Sequence, residues 1–324
     1  MPEPIASPHD HFFRAVFGQV PLASEFLRRY LPAGLTAPLD LASLVLRPGS
    51  FVDDDLRAQH GDLLFEVRLD DGGTARIYVL FEHKSRSERR VAVQLLRYVV
   101  RIWERDDRSR RRERGTRDPR IVLPVVVHHG PRPWAAPCAL GELYGGPEPL
   151  RPYWPELRYA LVDLSAMPEE AIVGEARLRV ALLVMRSIFD PELGRRLPAI
   201  IAQLRQEGTA LGMLRVVMQY IVQASEHVSE DEVADALRSA EPERGGEAMP
   251  TLAEKWVEQG RAVGLHEAIA EALGERFGDS GRDLIDDVCA VTDARALREV
   301  LRAVIRADSI EDAQRQLDSR VGDN

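Results

Sequence analysis

Three residues in the first half of this chain have the types and spacing to act together on a phosphate ester: Asp62, Glu82 and Lys84. Asp62 opens one strand-like run, Asp62 to Leu69. Glu82 closes a second and more apolar run, Ala75 to Glu82. The turn residues Asp70, Asp71, Gly72 and Gly73 lie between them, so the two runs read as a hairpin. Asp62 stands roughly ten residues before the turn and Glu82 roughly ten after it, which predicts that they face each other across an antiparallel pair. Two carboxylates at one place repel each other unless a divalent cation sits between them. Residues i and i+2 of a strand share a face, so Lys84 projects with Glu82. Its compact ammonium can orient or polarise a water. The peptide carbonyl of His83 is a third candidate ligand. This is a layout for metal-assisted phosphodiester hydrolysis with a Mg²⁺-type ion. The spacing alone is a weak signal, and the bland alternative is a strand start plus an exposed ion pair.

Lys84 stands out for a second reason. The chain has 43 basic residues, and only Lys84 and Lys255 are lysines. Arginine served almost everywhere else. Lys255, in a helical Ala-Glu-Lys-Trp, reads as a solvated residue.

The elements that must position these residues follow from periodicity. His9 to Leu31 reads as one helix, stopped by Pro32 and Gly34. Leu44–Leu46 is a short strand candidate. Ile77 to Phe81 is apolar throughout, as in a central strand buried on both faces. Ser85 or Ser87 starts a helix to about Arg112, with Val91, Leu95, Tyr98 (or Val99) and Ile102 as its inner stripe. Gln94 and Tyr98 are i, i+4 neighbours on one face of that helix and could bracket a phosphate or a bound water. Arg97, Arg101, Arg105 and Arg108 lie along another face. Residues 121–127 and 158–164 read as strands, joined by a Pro/Gly/Trp-rich loop. His128 and His129 read as packing residues at a sheet edge, with metal or phosphate contact as the less favoured reading. Beyond residue 167 the pattern is helical: 169–189, 191–206, 209–226, 230–240, 251–275, 280–291 and 293–305. The domains expected are therefore 1–165, 166–245 and 246–324.

Composition bounds the class. With 45% apolar and 29% charged residues over 324 positions, the chain is expected to be globular. No apolar run approaches the ~20 residues that span a bilayer, so no membrane contact is expected. Two cysteines, Cys138 and Cys289, and no signal-like N-terminus point to the cytoplasm. Net charge is −9, yet residues 84–120 hold 14 basic and 6 acidic side chains, a local +8. That segment is either a polyanion contact or a solvated helix face with its own ion pairs around Glu104, Asp106 and Asp107.

Taken together these blocks resemble the PD-(D/E)XK nuclease superfamily. Gly61-Asp62 matches its Pro-Asp position, Glu82-His83-Lys84 its E-x-K, and Gln94 with Tyr98 the Q-x-x-x-Y helix of some branches. More narrowly, the chain resembles the Rpn family of recombination-promoting nucleases, also called YhgA-like transposases. The residues that carry this are His9 to Phe17, Phe51-Val52-Asp53, Gly61 to Phe65, Tyr78 to Ser85, Leu96-Arg97-Tyr98, and Leu123 to Gly130 with Trp134. They occur in order over about residues 7–165, and Met249 to Gly264 with Arg276-Phe277-Gly278 resembles a C-terminal extension of some members.

The resemblance implies an α/β fold with an αβββαβ core, a central mixed sheet flanked by helices, and then an all-helical C-terminal extension. It implies a Mg²⁺-dependent DNA endonuclease that promotes recombination, using Asp62, Glu82 and Lys84, with no organic cofactor. Asp10, on the first helix, is a candidate further acidic ligand. A dimer would suit double-strand cleavage. Two departures stand out: Gly61 replaces the proline, and the family often has Gln where this chain has Lys84. The rival reading is a catalytically inactive nucleic-acid-binding or oligomerisation protein on the same fold.

Overall fold

The computed structural model describes residues 8–47, 63–70, 76–110, 120–205 and 211–239, and residues between 265 and 315 discontinuously. The chain divides into two units, Asp10–Ser187 and Ile188–Asn324 with Met1–His9.

The first unit opens with α1 (Pro8–Phe17) and α2 (Val20–Tyr30). The single helix expected from the apolar stripe is thus two. Pro21 is the reason: in a continuous helix its ring would meet the carbonyl of Phe17 and its missing N–H would leave that carbonyl unpaired. Gln19 is accordingly extended (φ −82°, ψ 106°), and Gly18 closes α1 with its N–H 2.9 Å from the Arg14 carbonyl. A short turn of helix, α3 (Ala33–Thr36), leads into the sheet.

Five strands lie in the order β1 (Leu39–Arg47), β2 (Leu63–Leu69), β3 (Arg76–Lys84), β4 (Val122–His128) and β5 (Ala160–Asp163). β1–β2 and β2–β3 are antiparallel; β3–β4 and β4–β5 are parallel. The long helix α4 (Val91–Arg110) makes the crossover from β3 to β4, as a parallel connection requires. It starts later than Ser85 or Ser87 suggests. Ser87 is spent elsewhere, its Oγ accepting the N–H of Ala135 at 3.0 Å. The expected strand at 44–46 is longer and begins at Leu39. Its register slips between Asp40 and Val45, where Ser43 Oγ donates to the Asp40 carbonyl and accepts from Arg68 N–H, a bulge on an edge strand.

The two faces of the sheet bury different layers. On one, Phe81 packs against Phe13, Phe17 and Phe26 with ring centroids 5.3–5.7 Å apart. Each ring buried there contributes about 1.5–3 kcal/mol. On the other, Leu64 and Val126 pack with Val91, Ala92, Leu95, Tyr98 and Ile102 of α4. That is the inner stripe expected, with both Tyr98 and Val99 buried. The side chains of residues 76–80 lie outside those described. The unit closes with α5 (Ala176–Ser187), in which the run Val180 to Met185 is wholly buried.

The second unit is helical where described: α6 (Leu193–Arg205), α7 (Leu211–Ala224), α8 (Glu230–Ser239) and α9 (Ala294–Arg306). α9 buries Leu297, Val300 and Val304 against Ile269, Leu273, Leu284 and Val288. Arg276 Nη2 donates to the Ala307 carbonyl at 2.7 Å, just past the C-terminus of α9, where a cation meets the helix dipole favourably. No described helix is long and apolar enough to cross a membrane.

Candidate active site

The β2–β3 register pairs Leu63 with Phe81 and Leu64 with Leu80. Leu63 follows Asp62 in the chain and Phe81 precedes Glu82. Asp62 lies outside the described residues, as does the side chain of Glu82. The Glu82 backbone is described, and its register partner on β4 is Val126, a residue of the face that α4 covers. Among the described residues no three His, Cys, Asp or Glu side chains gather as metal ligands.

Lys84 ends β3 beside His128 at the end of β4, and His128 pairs with Asp163 at the end of β5. Three parallel strands therefore finish at one edge with a cation, an imidazole and a carboxylate in a row. Lys84 is only 13% exposed at its side chain and lies 3.5 Å from Glu88 Oε1. Gln94 Nε2 donates to the Tyr98 hydroxyl at 2.9 Å. The helix of these two residues packs on the face of Val126, so the i, i+4 pair is real and sits on the side of the sheet that holds Leu64 and Val126.

His83 takes the other face. Its imidazole Nδ1 is 2.8 Å from Asp10 Oδ1, and the ring lies 5.3 Å from that of Phe13. The ring of His129 stacks on it, centroids 4.7 Å apart and planes 20° from parallel. Asp10 thus engages the His83 side chain, a contact that sequence reasoning missed; it considered only the His83 carbonyl.

His128 and Asp163 are the structural anchors of the strand ends. His128 is buried (1% exposed), with Nδ1 3.0 Å from the Lys84 carbonyl and Nε2 2.8 Å from the Arg132 carbonyl. Asp163 accepts from Trp134 N–H, from Ser165 N–H and Oγ–H, and from Ala166 N–H. Gly130 is required here, because an added Cβ would collide with the Ser85 carbonyl and the His128 ring. Tyr159 donates to the Pro137 carbonyl and accepts from Trp134 Nε1. Burial, reinforced by neighbouring Cys138, holds its phenol well above the ordinary tyrosine range, so it remains a donor.

On α4, Arg97 and Arg101 are exposed and Arg105 is half-buried; the side chain of Arg108 lies outside those described. Arg101 pairs with Glu104 at 3.4 Å. Deeper in, Glu66 takes both Nε and Nη2 of Arg47 and lies 3.6 Å from Arg120, which also bonds Asp106 at 3.2 Å. The basic segment therefore contains internal ion pairs and an exposed arginine face together. Glu66 was not legible as a buried charge, because its neighbours along β2 alternate no differently from a solvated position.

Comparison with known proteins gives a consistent set. A family model described as "Putative transposase, YhgA-like" matches residues 7–215. Recombination-promoting nuclease RpnD of Escherichia coli O157:H7 is 29% identical over 77% of this chain and 94% of its own. Recombination-promoting nuclease RpnA of Escherichia coli strain K12 is 27% identical over 81% of this chain and 87% of its own. The inactive recombination-promoting nuclease-like protein RpnE of the same strain is 26% identical over 89% and 96%. No solved structure matches.

Proposed function

Because the chain belongs to the YhgA-like transposase family, we propose that it is a DNA endonuclease that hydrolyses phosphodiester bonds with a divalent cation and promotes recombination. The relatives RpnD and RpnA are named as nucleases, and RpnE as inactive, at nearly equal identity. Similarity alone therefore does not decide activity, and the reading rests on this chain's own residues. The observation that carries it is the β2–β3 register: Leu63 opposite Phe81 makes Asp62 and Glu82 the next residues along two paired strands, with Lys84 two positions on. The order of elements, helices then three antiparallel strands, a crossover helix and a parallel strand, supports a PD-(D/E)XK-type core.

The donor set fits a hard cation. Asp62, Glu82 and the His83 carbonyl offer oxygen ligands, which Mg²⁺ prefers. When bound, the ion would acidify a water and neutralise charge on the scissile phosphate. Lys84 holds the attacking water by its ammonium, and Glu88 at 3.5 Å restrains that ammonium. Gln94 and Tyr98 act as a coupled donor pair toward the phosphate from α4. Arg97, Arg101, Arg105 and Arg108 contact the DNA backbone. Asp10 positions His83 through its imidazole.

The test is conversion of supercoiled plasmid to nicked and linear forms by the purified full chain, with Mg²⁺ and with EDTA. Metal-dependent nicking supports the reading. A well-folded protein that binds DNA and never cuts it, whatever the divalent ion, favours the non-catalytic alternative.

A further inference from the structure

The strongest charged feature outside the candidate active site is on α9, in the helical C-terminal unit. Arg295, Arg298, Arg302 and Arg306 stand at spacings of three, four and four, which is one stripe of an α-helix. All four are exposed. None makes an ion pair or hydrogen bond with any described residue. Some other exposed arginines are paired, Arg29 with Glu25, Arg101 with Glu104, Arg195 with Glu192 and Arg315 with Asp312, so what sets α9 apart is four exposed guanidinium groups in one stripe. α9 itself has one acid, Glu299, at the margin of the stripe, while Asp293 and Asp308 flank the helix in sequence.

The surroundings make this concentration of charge unexpected. Residues 188–324 hold 16 basic and 27 acidic side chains, a net of −11. An acidic segment reads as one that repels DNA, yet it gathers four of its cations on one face. Like charges at i, i+4, as in Arg298–Arg302–Arg306, disfavour a helix. An anionic partner relieves that repulsion.

The partner's class follows from the opposite face. A basic helix that lies on a membrane needs an apolar face free to enter the lipid. That of α9 is already used, with Leu297, Val300, Ala303 and Val304 all buried in its own core. What remains is a row of guanidinium groups rising about 16 Å from end to end. That matches about five base-pair steps of duplex at ~3.4 Å each. Guanidinium pairs with phosphate bidentately.

We infer that the arginine stripe of α9 is a second contact for the phosphate backbone of duplex DNA, additional to that of α4. This rests on the reading of the chain as a DNA-acting protein. The contact is independent of sequence and adds affinity without touching the cleavage chemistry.

The test is fluorescence anisotropy of a labelled duplex of about 20 base pairs with the full chain in EDTA, over about 50–200 mM salt. The variants are Arg298→Glu with Arg302→Glu, and Arg298→Lys with Arg302→Lys. Reversal makes opposite-charge neighbours of positions 295 and 298 and of positions 302 and 306, and exchanges one like-charged i, i+4 pair for another; circular dichroism of the variant checks that the helix is kept. The expected result is a log–log salt slope shallower by about two for the double reversal, from ~0.9 per lost phosphate contact, and a nearly unchanged slope for the lysine pair. Wild-type slope and affinity in the double reversal would overturn the inference and leave the nuclease reading intact. Wild-type protein that binds no duplex at any salt would overturn both. Binding to phosphatidylserine vesicles that is lost on reversal, with the DNA slope unchanged, would overturn it in favour of a lipid surface.

Discussion

Lys84 and His128 are register partners across the parallel β3–β4 pair, and the His128 ring reaches back to the Lys84 carbonyl at 3.0 Å. The other ring nitrogen, Nε2, lies 2.8 Å from the Arg132 carbonyl. One buried imidazole therefore fixes both the end of the strand that carries Lys84 and the loop beyond Gly130. Carbonyls only accept, so an imidazole with one N–H donates to one of them at a time, and the tautomer selects which.

From this, His128→Phe should keep an aromatic ring at the position and lose its hydrogen bonding to the two carbonyls. If the Lys84 ammonium must sit at one height above the sheet, a shift of about 1 Å costs cleavage up to ~100-fold. DNA affinity should stay at the wild-type level. Single-turnover cleavage with a parallel binding titration checks this; equal losses in both would mean that His128 supports the fold rather than Lys84.

Lys84 itself should tolerate arginine poorly. A guanidinium at this position would keep the charge but spread it over a planar fork with a longer reach. Lys84→Arg should lose most activity with little change in binding, so the loss appears in kcat. Lys84→Gln should be milder than its lost charge suggests, since the family resemblance places Gln there. Wild-type rates for Lys84→Arg would show that lysine is not needed as such.

Glu66 predicts a stability effect separate from catalysis. It is buried (6% exposed) between Arg47 and Arg120. Glu66→Ala removes the buried carboxylate that Arg47 and Arg120 share, leaving Arg120, 15% exposed at its side chain, with its 3.2 Å contact to Asp106. Removing one member of a buried pair costs about 3–5 kcal/mol, to be read in urea midpoints. A change under about 1 kcal/mol would mean that water replaces Glu66 freely.

The α8 start carries a pH dependence of known sign. Ser229 N–H and its hydroxyl both donate to Glu232, which holds that carboxyl below the ordinary glutamate range. A depressed folded-state pKa means that the contribution is present above the unfolded value and is lost as pH falls through the folded one. Glu232→Gln should therefore lower stability at neutral and alkaline pH, where the carboxylate is ionised, and leave it unchanged at the acid extreme, so the acid limb of the stability curve flattens. An unchanged acid limb would remove Glu232 from the account.

How much of this was legible in the sequence depends on the range of the interaction. Period-two and period-3.6 patterns located β3, α4 and its buried stripe, because those faces are decided by neighbours in sequence. The split of the first helix was written locally too, in Gly18 and Pro21, but the apolar stripe ran across it. The Asp10–His83 contact spans 73 residues. It depends on which face of the sheet α1 covers, which no local pattern encodes. The Glu66–Arg120 pair was hidden for the same reason.

In the proposed function Asp62 and Glu82 form one metal-binding pair. Its most direct measurement is isothermal titration of Mn²⁺ or Mg²⁺ into the full chain and into Asp62→Asn and Glu82→Gln, alongside plasmid nicking by the same preparations. Each variant should keep its wild-type fold, lose the specific metal-binding isotherm, and lose cleavage by far more than the ~10–100-fold expected for a residue behind the ligands. Undiminished metal binding and nicking by purified Asp62→Asn protein would contradict it.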